Sequence, residues 1–114
     1  MVTKKISKKT QGKPAASKSP QRQYVIVRCR NAGVHAGELV SRSGTEVRLA
    51  NSRRIWYWRG AASLSELAVY GAKDREACKF GVTLPAIDVL DACEIIACQP
   101  EGERMIREQA EWRA

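Results

Sequence analysis

Residues 23–59 read QYVIVRCRNAGVHAGELVSRSGTEVRLANSRRIWYWR, and apolar and polar side chains alternate through much of this stretch. Alternation with a period of two is typical of a β-strand that buries one face. In the first strand, Val25, Val27 and Cys29 share the apolar face. Breaks at 31–33, 42–44 and 50–52 contain Gly, Asn and Ser, which favour turns. The stretch therefore predicts four strands, 23–30, 37–41, 45–49 and 53–59, joined as an antiparallel meander.

A short helix is predicted directly after the meander. Ser63 and Glu66 have the spacing of a capping box, in which the Ser63 side chain accepts from the backbone at Glu66 and the Glu66 side chain reaches back to the backbone at Ser63. Leu64, Leu67 and Ala68 form a buried stripe at helical spacing. The helix is expected to end at residue 71, a glycine, which can take the positive φ of a helix stop.

The remaining residues extend the sheet and add a second helical segment. Residues 80–84 favour a strand, Pro85 interrupts it, and 89–98 reads as one more extended segment, which Pro100 closes. Residues 101–112 predict either a helix or an irregular tail. The fold class is therefore α+β: a small antiparallel β-sheet or partly closed barrel, one short packed helix, a C-terminal helix or tail, and a basic N-terminal arm.

Length and charge divide the chain into an arm and a body. The chain has 114 residues, which suits one domain. Its formal net charge is +8, and residues 1–22 hold seven cations and no acid, so the body adds only +1. We predict a disordered arm over 1–22 and a single domain over 23–114. Within the body, 23–59 carry +5 and 60–114 carry −4, which suits a head-to-tail contact between copies. The arm's cations are Lys4, Lys5, Lys8, Lys9, Lys13, Lys18 and Arg22.

Residues 53–59, RRIWYWR, are the strongest candidate binding segment in the body. Aromatic rings beside guanidinium groups are typical of proteins that bind single-stranded nucleic acid. The alternation also fits aromatic side chains that anchor the sheet or form a protein interface. The candidate residues for binding a partner or nucleic acid are the seven cations of the arm together with Arg53, Arg54, Trp56, Trp58 and Arg59.

No metal, cofactor or catalytic site is expected. The four cysteines lack the C-x2-C spacing of a zinc knuckle, and His35 has no partner at ligand spacing. Without an export signal the cysteines are expected to stay reduced. No nucleophile with a base, pair of acids or phosphate loop is recognisable. No apolar run approaches the ~20 residues that cross a bilayer. We therefore expect a protein that is not an enzyme, with no small-molecule substrate and no membrane partner.

Several segments of the body together resemble a known family. These are YVIVR at 24–28, AGVHAG at 32–37, RIWYW at 54–58 with GAASLSELA at 60–68, CKF at 78–80 and EIIAC at 94–98. With them, residues 23–113 resemble a family of small phage and prophage proteins known only as a domain of unknown function. Residues 107–111 depart from the pattern, because relatives are expected to have a strand-like ending there. The resemblance implies a phage origin and no particular activity.

Three function classes follow. The first is a phage structural protein without enzymatic activity, a capsid decoration protein or minor virion component, which binds neighbouring subunits and docks its arm on an acidic surface. Its partners would be other virion proteins or its own copies. The alternative is a phage accessory protein that binds DNA or other nucleic acid through the arm and the Arg/Trp strand. A factor that inhibits a host enzyme is a third class. The expected location is the virion, and the host cytoplasm before assembly.

Overall fold

The structure is a computed structural model that describes residues 21–114. Within them, the order of elements is β1 (Tyr24–Cys29), β2 (Val34–Ser43), β3 (Glu46–Tyr57), α1 (Leu64–Tyr70), β4 (Lys79–Phe80), β5 (Leu84–Val89), β6 (Ala92–Ala97) and α2 (Pro100–Glu108). A short 3₁₀ helix, Arg75–Ala77, precedes β4. The predicted α+β class is confirmed, and the C-terminal segment forms a helix.

The six described strands form one antiparallel sheet that curls without closing. The order is β6-β1-β2-β3, and the far edge of β3 is shared by β5 and β4. Because β5 and β6 lie at opposite edges and only Leu90 and Asp91 join them, the sheet must curl until its edges approach at this turn. Thr45 ties the turn to the β2–β3 hairpin, since its Oγ1 donates to the Leu90 carbonyl oxygen. Of the two architectures predicted, the open sheet is the one observed.

Strand β1 is buried on both faces, because the curled sheet and the helices enclose it from opposite sides. Val25, Val27 and Cys29 belong to an inner cluster within the curl, to which the other long strands contribute Leu39, Val47, Leu49, Val89 and Ile95. Tyr24 and Ile26 belong to an outer cluster, which lies between the sheet and the two helices. The prediction of a half-buried first strand is wrong for residues 24–27. We call the two sides of the sheet its inner and outer faces.

Strand β3 is continuous where two strands and a turn were predicted. Asn51 has a φ of +48°, and the pairing with β2 shifts register between Ala36 and Glu38, so a bulge replaces the turn. Opposite the bulge, a Cβ on Gly37 would lie 2.7 Å from the Cβ of Ser52. Glycine therefore lets the two strands approach closely here, and β2 begins at Val34 rather than at 37.

The bulge also decides which side chains of β3 share a face. Before it, Leu49 lies on the inner face, whereas after it Ile55 belongs to the outer cluster. An uninterrupted strand would put both on the same face, since their numbers differ by six. The bulge therefore places the even-numbered Arg54 and Trp56 on the inner face and Arg53 on the outer face.

The later strands differ from the predicted boundaries. Pro85 lies inside β5 instead of interrupting a strand over 80–84, which a sheet tolerates because β5 is an edge strand. The extended segment predicted over 89–98 is divided at Leu90 and Asp91. Pro100 begins α2 rather than closing the segment before it, in accordance with the preference for proline at the first helical position.

The two helices pack on the outer face at short range. The Ser63 half of the predicted capping box is present, since Ser63 Oγ accepts from the backbone N–H of Glu66. The return bond differs from the prediction, because Glu66 Oε1 accepts from the backbone N–H of Ala62 instead of that of Ser63. Helix α1 ends at Gly71, with a φ of +81°. A Cβ on Gly102 of α2 would collide with the carbonyl oxygen of Ala68 in α1, so the glycine allows the helix backbones to touch.

The charge imbalance along the sequence is largely neutralised within the fold. Arg28 pairs with Glu94 at 2.8 Å, Arg48 with Asp88 at 2.8 Å, and Arg59 with Asp74 at 3.7 Å. Each pair joins a cation of 23–59 to an acid of 60–114. The fold therefore removes much of the charge separation on which the predicted head-to-tail contact depended.

Candidate interaction surface

Arg53, a predicted binding residue, is part of the interior. Its side chain is on the outer face and only 2% exposed. Its guanidinium makes five hydrogen bonds of 2.7–3.2 Å, to the carbonyl oxygens of Phe80, Gly81, Ile106 and Gln109. Burial lowers the pKa of Arg53. Because all its donors are occupied inside the domain, Arg53 holds β4 and the end of α2 against β3 and is not available to a partner.

Beside it on β3, Trp56 is part of an exposed aromatic cluster, formed by Trp56, Tyr57, Lys79 and Trp112. The Trp56 and Trp112 rings stack with their centroids 5.1 Å apart and their planes at 29°. Lys79 Nζ lies 5.4 Å from the centroid of each tryptophan and 5.9 Å from that of Tyr57. Trp56 is 60% exposed and Trp112 47% exposed. The cluster presents two contiguous indole side chains to the surface.

The C-terminal segment after α2 brings Trp112 to this position. Glu111 bridges to Phe80 in parallel, and the backbone N–H of Trp112 donates to the Phe80 carbonyl oxygen at 2.9 Å. The segment therefore extends the sheet beyond β4. Neither Trp112 nor Lys79 was predicted as a site residue, because only the pairing of distant segments brings them beside Trp56.

A groove begins at the two tryptophans and runs along β5. It has a volume of about 230 Å³. A shallower depression of about 510 Å³ continues it and shares His35, Arg54 and Ile87 with it. We call the two together the mouth groove. Besides the three shared residues, its lining includes Trp56, Val82, Leu84 and Trp112 at one end, and Asn31, Ala32, Leu90 and Asp91 at the other.

The mouth groove is the open end of the curled sheet. His35 pairs with Val27 on one side and with Arg54 on the other, so its side chain lies on the inner face. Ala32 and Ile87 both pack against the inner cluster and line the groove. The apolar interior thus continues into the groove, and the mouth of a curled sheet is a common place for a binding site.

The polar groups of the groove floor meet at the carbonyl of Ala32. Arg54 Nη1 donates to this oxygen at 3.0 Å, and His35 Nε2 lies 3.0 Å from it. His35 is 1% exposed, and burial lowers its pKa. At neutral pH the imidazole is therefore uncharged, and Arg54 supplies the positive charge of the floor.

The acids of the groove are engaged, whereas its cations are free of carboxylates. Asp88 accepts two hydrogen bonds from Arg48, and Asp91 accepts one from the backbone N–H of Asn31 at 2.6 Å. Neither Arg54 nor Lys79 forms an ion pair with any residue that the structure describes. The groove therefore combines an apolar lining with Arg54, which has no acidic partner among the described residues, and Lys79 lies beside its two tryptophans.

The other predicted site residues do not join this surface. Trp58 is half-buried against the outer cluster, and Arg59 is exposed and paired with Asp74. Arg22 lies 3.5 Å from Glu38. The lysines of the predicted arm lie outside the described residues; they are Lys4, Lys5, Lys8, Lys9, Lys13 and Lys18. Of the predicted set, the structure brings only Arg54 and Trp56 together at the groove.

The described residues form no metal-binding cluster, and two of their cysteine thiols have raised pKa values. Between residues 21 and 114 there is no group of three or more His, Cys, Asp or Glu side chains that could hold a metal ion. Burial raises the pKa of the Cys29 thiol, and it raises that of Cys98 to about 12. Both thiols therefore remain protonated at neutral pH. No helix in this part of the chain is long and apolar enough to cross a membrane.

A family model matches residues 22–106, and its description is Domain of unknown function (DUF6948). The match runs from the start of the described chain into α2, so it includes Arg54, Trp56, Lys79 and β5. Trp112 lies beyond it. No curated protein and no solved structure matches the chain.

Proposed function

The chain belongs to the family Domain of unknown function (DUF6948), and we propose that it is a protein-binding module without enzymatic activity that serves as a structural component of a phage particle. Its contact surface is the mouth groove with the aromatic cluster. In the particle it is a capsid decoration protein or minor virion component, whose basic arm docks on an acidic surface of a neighbouring subunit. Before assembly it is in the host cytoplasm.

The observation that carries the proposal is the convergence of exposed apolar side chains on one surface. Trp56, Val82, Leu84, Leu90 and Trp112 are all more than a third exposed, and all line the mouth groove. Single exposed apolar residues are ordinary on protein surfaces, but a contiguous patch marks an interaction site. Tryptophan is also among the residues that contribute most to protein interfaces.

The geometry favours a protein partner over single-stranded nucleic acid. Proteins that bind single strands offer ring faces on which bases stack. Here Trp56 and Trp112 stack on each other instead. Of the arginines in 53–59, Arg53 is buried and Arg59 is paired with Asp74. The segment therefore has far less cationic surface than its sequence indicates.

The placement in a phage particle is supported by the resemblance of residues 23–113 to phage and prophage proteins and by the composition of the arm. Residues 1–22 carry seven cations and no acid. Such a segment is attracted to any acidic surface within reach, including a neighbouring capsid subunit. The arm and the groove would then bind two different surfaces of the particle.

Particles purified from the producing phage test the proposal directly. Mass spectrometry should find the chain in them at a fixed number of copies, and its absence from particles would contradict the structural role. Particles assembled with Trp56→Ala should lose most of the protein. Tyr70→Ala is the matched control, because Tyr70 is equally exposed, at 63%, but lies on α1 outside the groove.

A nucleic-acid-binding accessory protein is the second candidate, and Arg54 and Lys79 beside the two tryptophans are what favour it. This candidate predicts that Trp56→Ala weakens binding to single-stranded DNA by about 1–3 kcal/mol. It also predicts that affinity for the full chain falls steeply with salt, because the arm releases counterions from phosphates. We expect instead that Trp56→Ala leaves DNA affinity unchanged and reduces incorporation into particles.

A further inference from the structure

The groove keeps positive charge that is unpaired among residues 21–114, whereas several arginines elsewhere in the fold are paired with acids. Arg28, Arg48, Arg59 and Arg107 each contact a carboxylate within the described chain. Arg54, which lines the middle of the groove, and Lys79, which lies beside the Trp56 ring, do not. A cation next to apolar side chains is less well hydrated than one in open solvent, so an incoming carboxylate gains more from pairing with it.

Arg54 is prepared for such a carboxylate by its own hydrogen bond. Its Nη1 is held by the Ala32 carbonyl oxygen, and Nε and Nη2 make no hydrogen bond within the described residues. The bond to Ala32 fixes the plane of the guanidinium and leaves an edge of the fork free. Arginine recognises carboxylates through such an edge, with two parallel hydrogen bonds.

Apolar positions lie on both sides of this charge. Trp56, Val82 and Trp112 line one end of the groove, and Leu90 lies at the other. We propose that the mouth groove binds an extended segment of a partner protein in which an aspartate or glutamate pairs with Arg54 and apolar side chains on either side of the acid contact the tryptophans and β5. This inference rests on the proposed function, because it names the partner chemistry for the same surface.

The far end of the groove favours a peptide over a phosphate backbone. Asp91 lies there; its carboxylate accepts a hydrogen bond from the Asn31 backbone N–H and forms no ion pair with a described residue. A nucleic acid following the groove would place a phosphate near this carboxylate. A peptide with one acid at Arg54 and apolar residues beyond it brings no second negative charge to that end.

A random peptide library on beads, probed with the full-length protein, tests the proposal. The wild type should enrich peptides that have Asp or Glu between apolar residues. Arg54→Glu should reverse the preference, enriching Lys or Arg at the same place. Arg42→Glu is the matched control: Arg42 is also exposed and forms no ion pair with a described residue, but it lies beside the β2–β3 turn, and its variant should enrich the same acidic peptides as the wild type.

The acidic peptide that binds most tightly is then used in a double-mutant cycle with Arg54. Arg54→Gln should weaken its binding roughly tenfold, as should Asp→Asn in the peptide, and the two changes together should cost little more than either alone. Enrichment without an acidic preference, or additive losses in the cycle, would overturn the inference while leaving a protein-binding groove. If Trp56→Ala and the wild type enrich the same peptides to the same degree, the proposed function itself fails. Preferential capture of single-stranded DNA over every peptide would overturn both.

Discussion

The two faces of β3 carry similar side chains and end in opposite environments. Arg53 is 2% exposed and makes five hydrogen bonds, whereas Arg54 is exposed and makes one. Ile55 is 3% exposed, whereas Trp56 is 60% exposed. On the outer face, the helices and the C-terminal segment cover the strand. On the inner face, the same strand runs out of the curl into the mouth groove, where Trp56 stays 60% exposed although the Trp112 ring stacks on it.

The comparison separates what holds the domain together from what it offers to a partner. On the outer face, every N–H donor of the Arg53 guanidinium is hydrogen-bonded. The two helices packed on this face are in backbone contact at Gly102. The inner face keeps apolar side chains and Arg54 accessible in the mouth groove. Changes to the outer face should therefore affect folding, and changes to the groove should affect binding.

The largest effect is expected at Arg53. Arg53→Met keeps the length of the side chain but removes five hydrogen bonds to four backbone carbonyl oxygens, so unfolding free energy should fall by about 3–5 kcal/mol. Arg54→Met, its neighbour on the open face, should change it by less than ~0.5 kcal/mol. Urea denaturation of both variants measures the difference. Equal losses would mean that the two faces of β3 are not as different as the structure shows.

Gly102→Ala should be the next largest effect, with a sign opposite to the usual one. Alanine in place of glycine within a helix ordinarily stabilises by about 1 kcal/mol. Here the added Cβ meets the Ala68 carbonyl oxygen, so we expect a loss of about 1–3 kcal/mol as α1 and α2 separate. Arg104→Ala, at an exposed position of α2, is the control and should be close to neutral. Stabilisation by Gly102→Ala would show that the helices do not touch.

The features that the sequence predicted correctly depend on residues close together in the chain. The Ser63 cap joins residues three positions apart, and the prediction that β1 is a strand needs only its own six residues, although their burial on both faces was missed. The features that were missed depend on distance. Arg53 bonds to carbonyls 27 to 56 residues away, and Trp112 reaches Trp56 only because the tail pairs with β4. No local pattern encodes these contacts.

The bulge at Asn51 shows why the site itself was only half predicted. The segment 50–52 has the composition of a turn, and a turn was predicted, whereas a register shift within one strand is observed. That Arg54 and Trp56 share one face of the strand follows from alternation alone, because they are two residues apart. That this face continues the inner core could not be predicted, because it depends on one extra residue in the strand.

Removing the N-terminal cap of α1, which packs on the outer face, should cause a smaller loss of unfolding free energy. Ser63→Ala removes the acceptor for the Glu66 backbone N–H, 3.1 Å away, and should lower unfolding free energy by about 1 kcal/mol. Ser65→Ala is the matched control, since Ser65 is exposed within the same helix and caps nothing. Thermal denaturation distinguishes them. A neutral Ser63→Ala would mean that α1 adds little to the cover of the outer face.

The tryptophan pair should contribute less still, because it lies on the open face. A double-mutant cycle with Trp56→Ala and Trp112→Ala should give a coupling energy of about 0.5–1 kcal/mol in unfolding free energy. The same cycle with Trp56→Ala and Tyr70→Ala should show none, since Tyr70 lies on α1. Zero coupling in the first cycle would show that the C-terminal segment does not hold Trp112 against Trp56 in solution.

The smallest expected effect is a change of unfolding free energy with pH. It reports whether water reaches His35 in the floor of the groove. Burial lowers the pKa of His35 from its ordinary value of 6.5, so the unfolded chain takes up a proton more readily than the folded one. Stability should therefore be complete above pH 6.5 and decline as the pH falls through the folded pKa. His35 is the one histidine of the chain, and the lowered pKa of Glu38 affects stability only in a lower window, below its ordinary value of 4.5, so a decline that begins at pH 6.5 and is seen in the upper window, above pH 4.5, belongs to His35. His35→Gln should lose the decline in the upper window and keep the one in the lower. If the wild type shows no decline in the upper window, water reaches the imidazole, and the inner core ends before the groove instead of continuing into it.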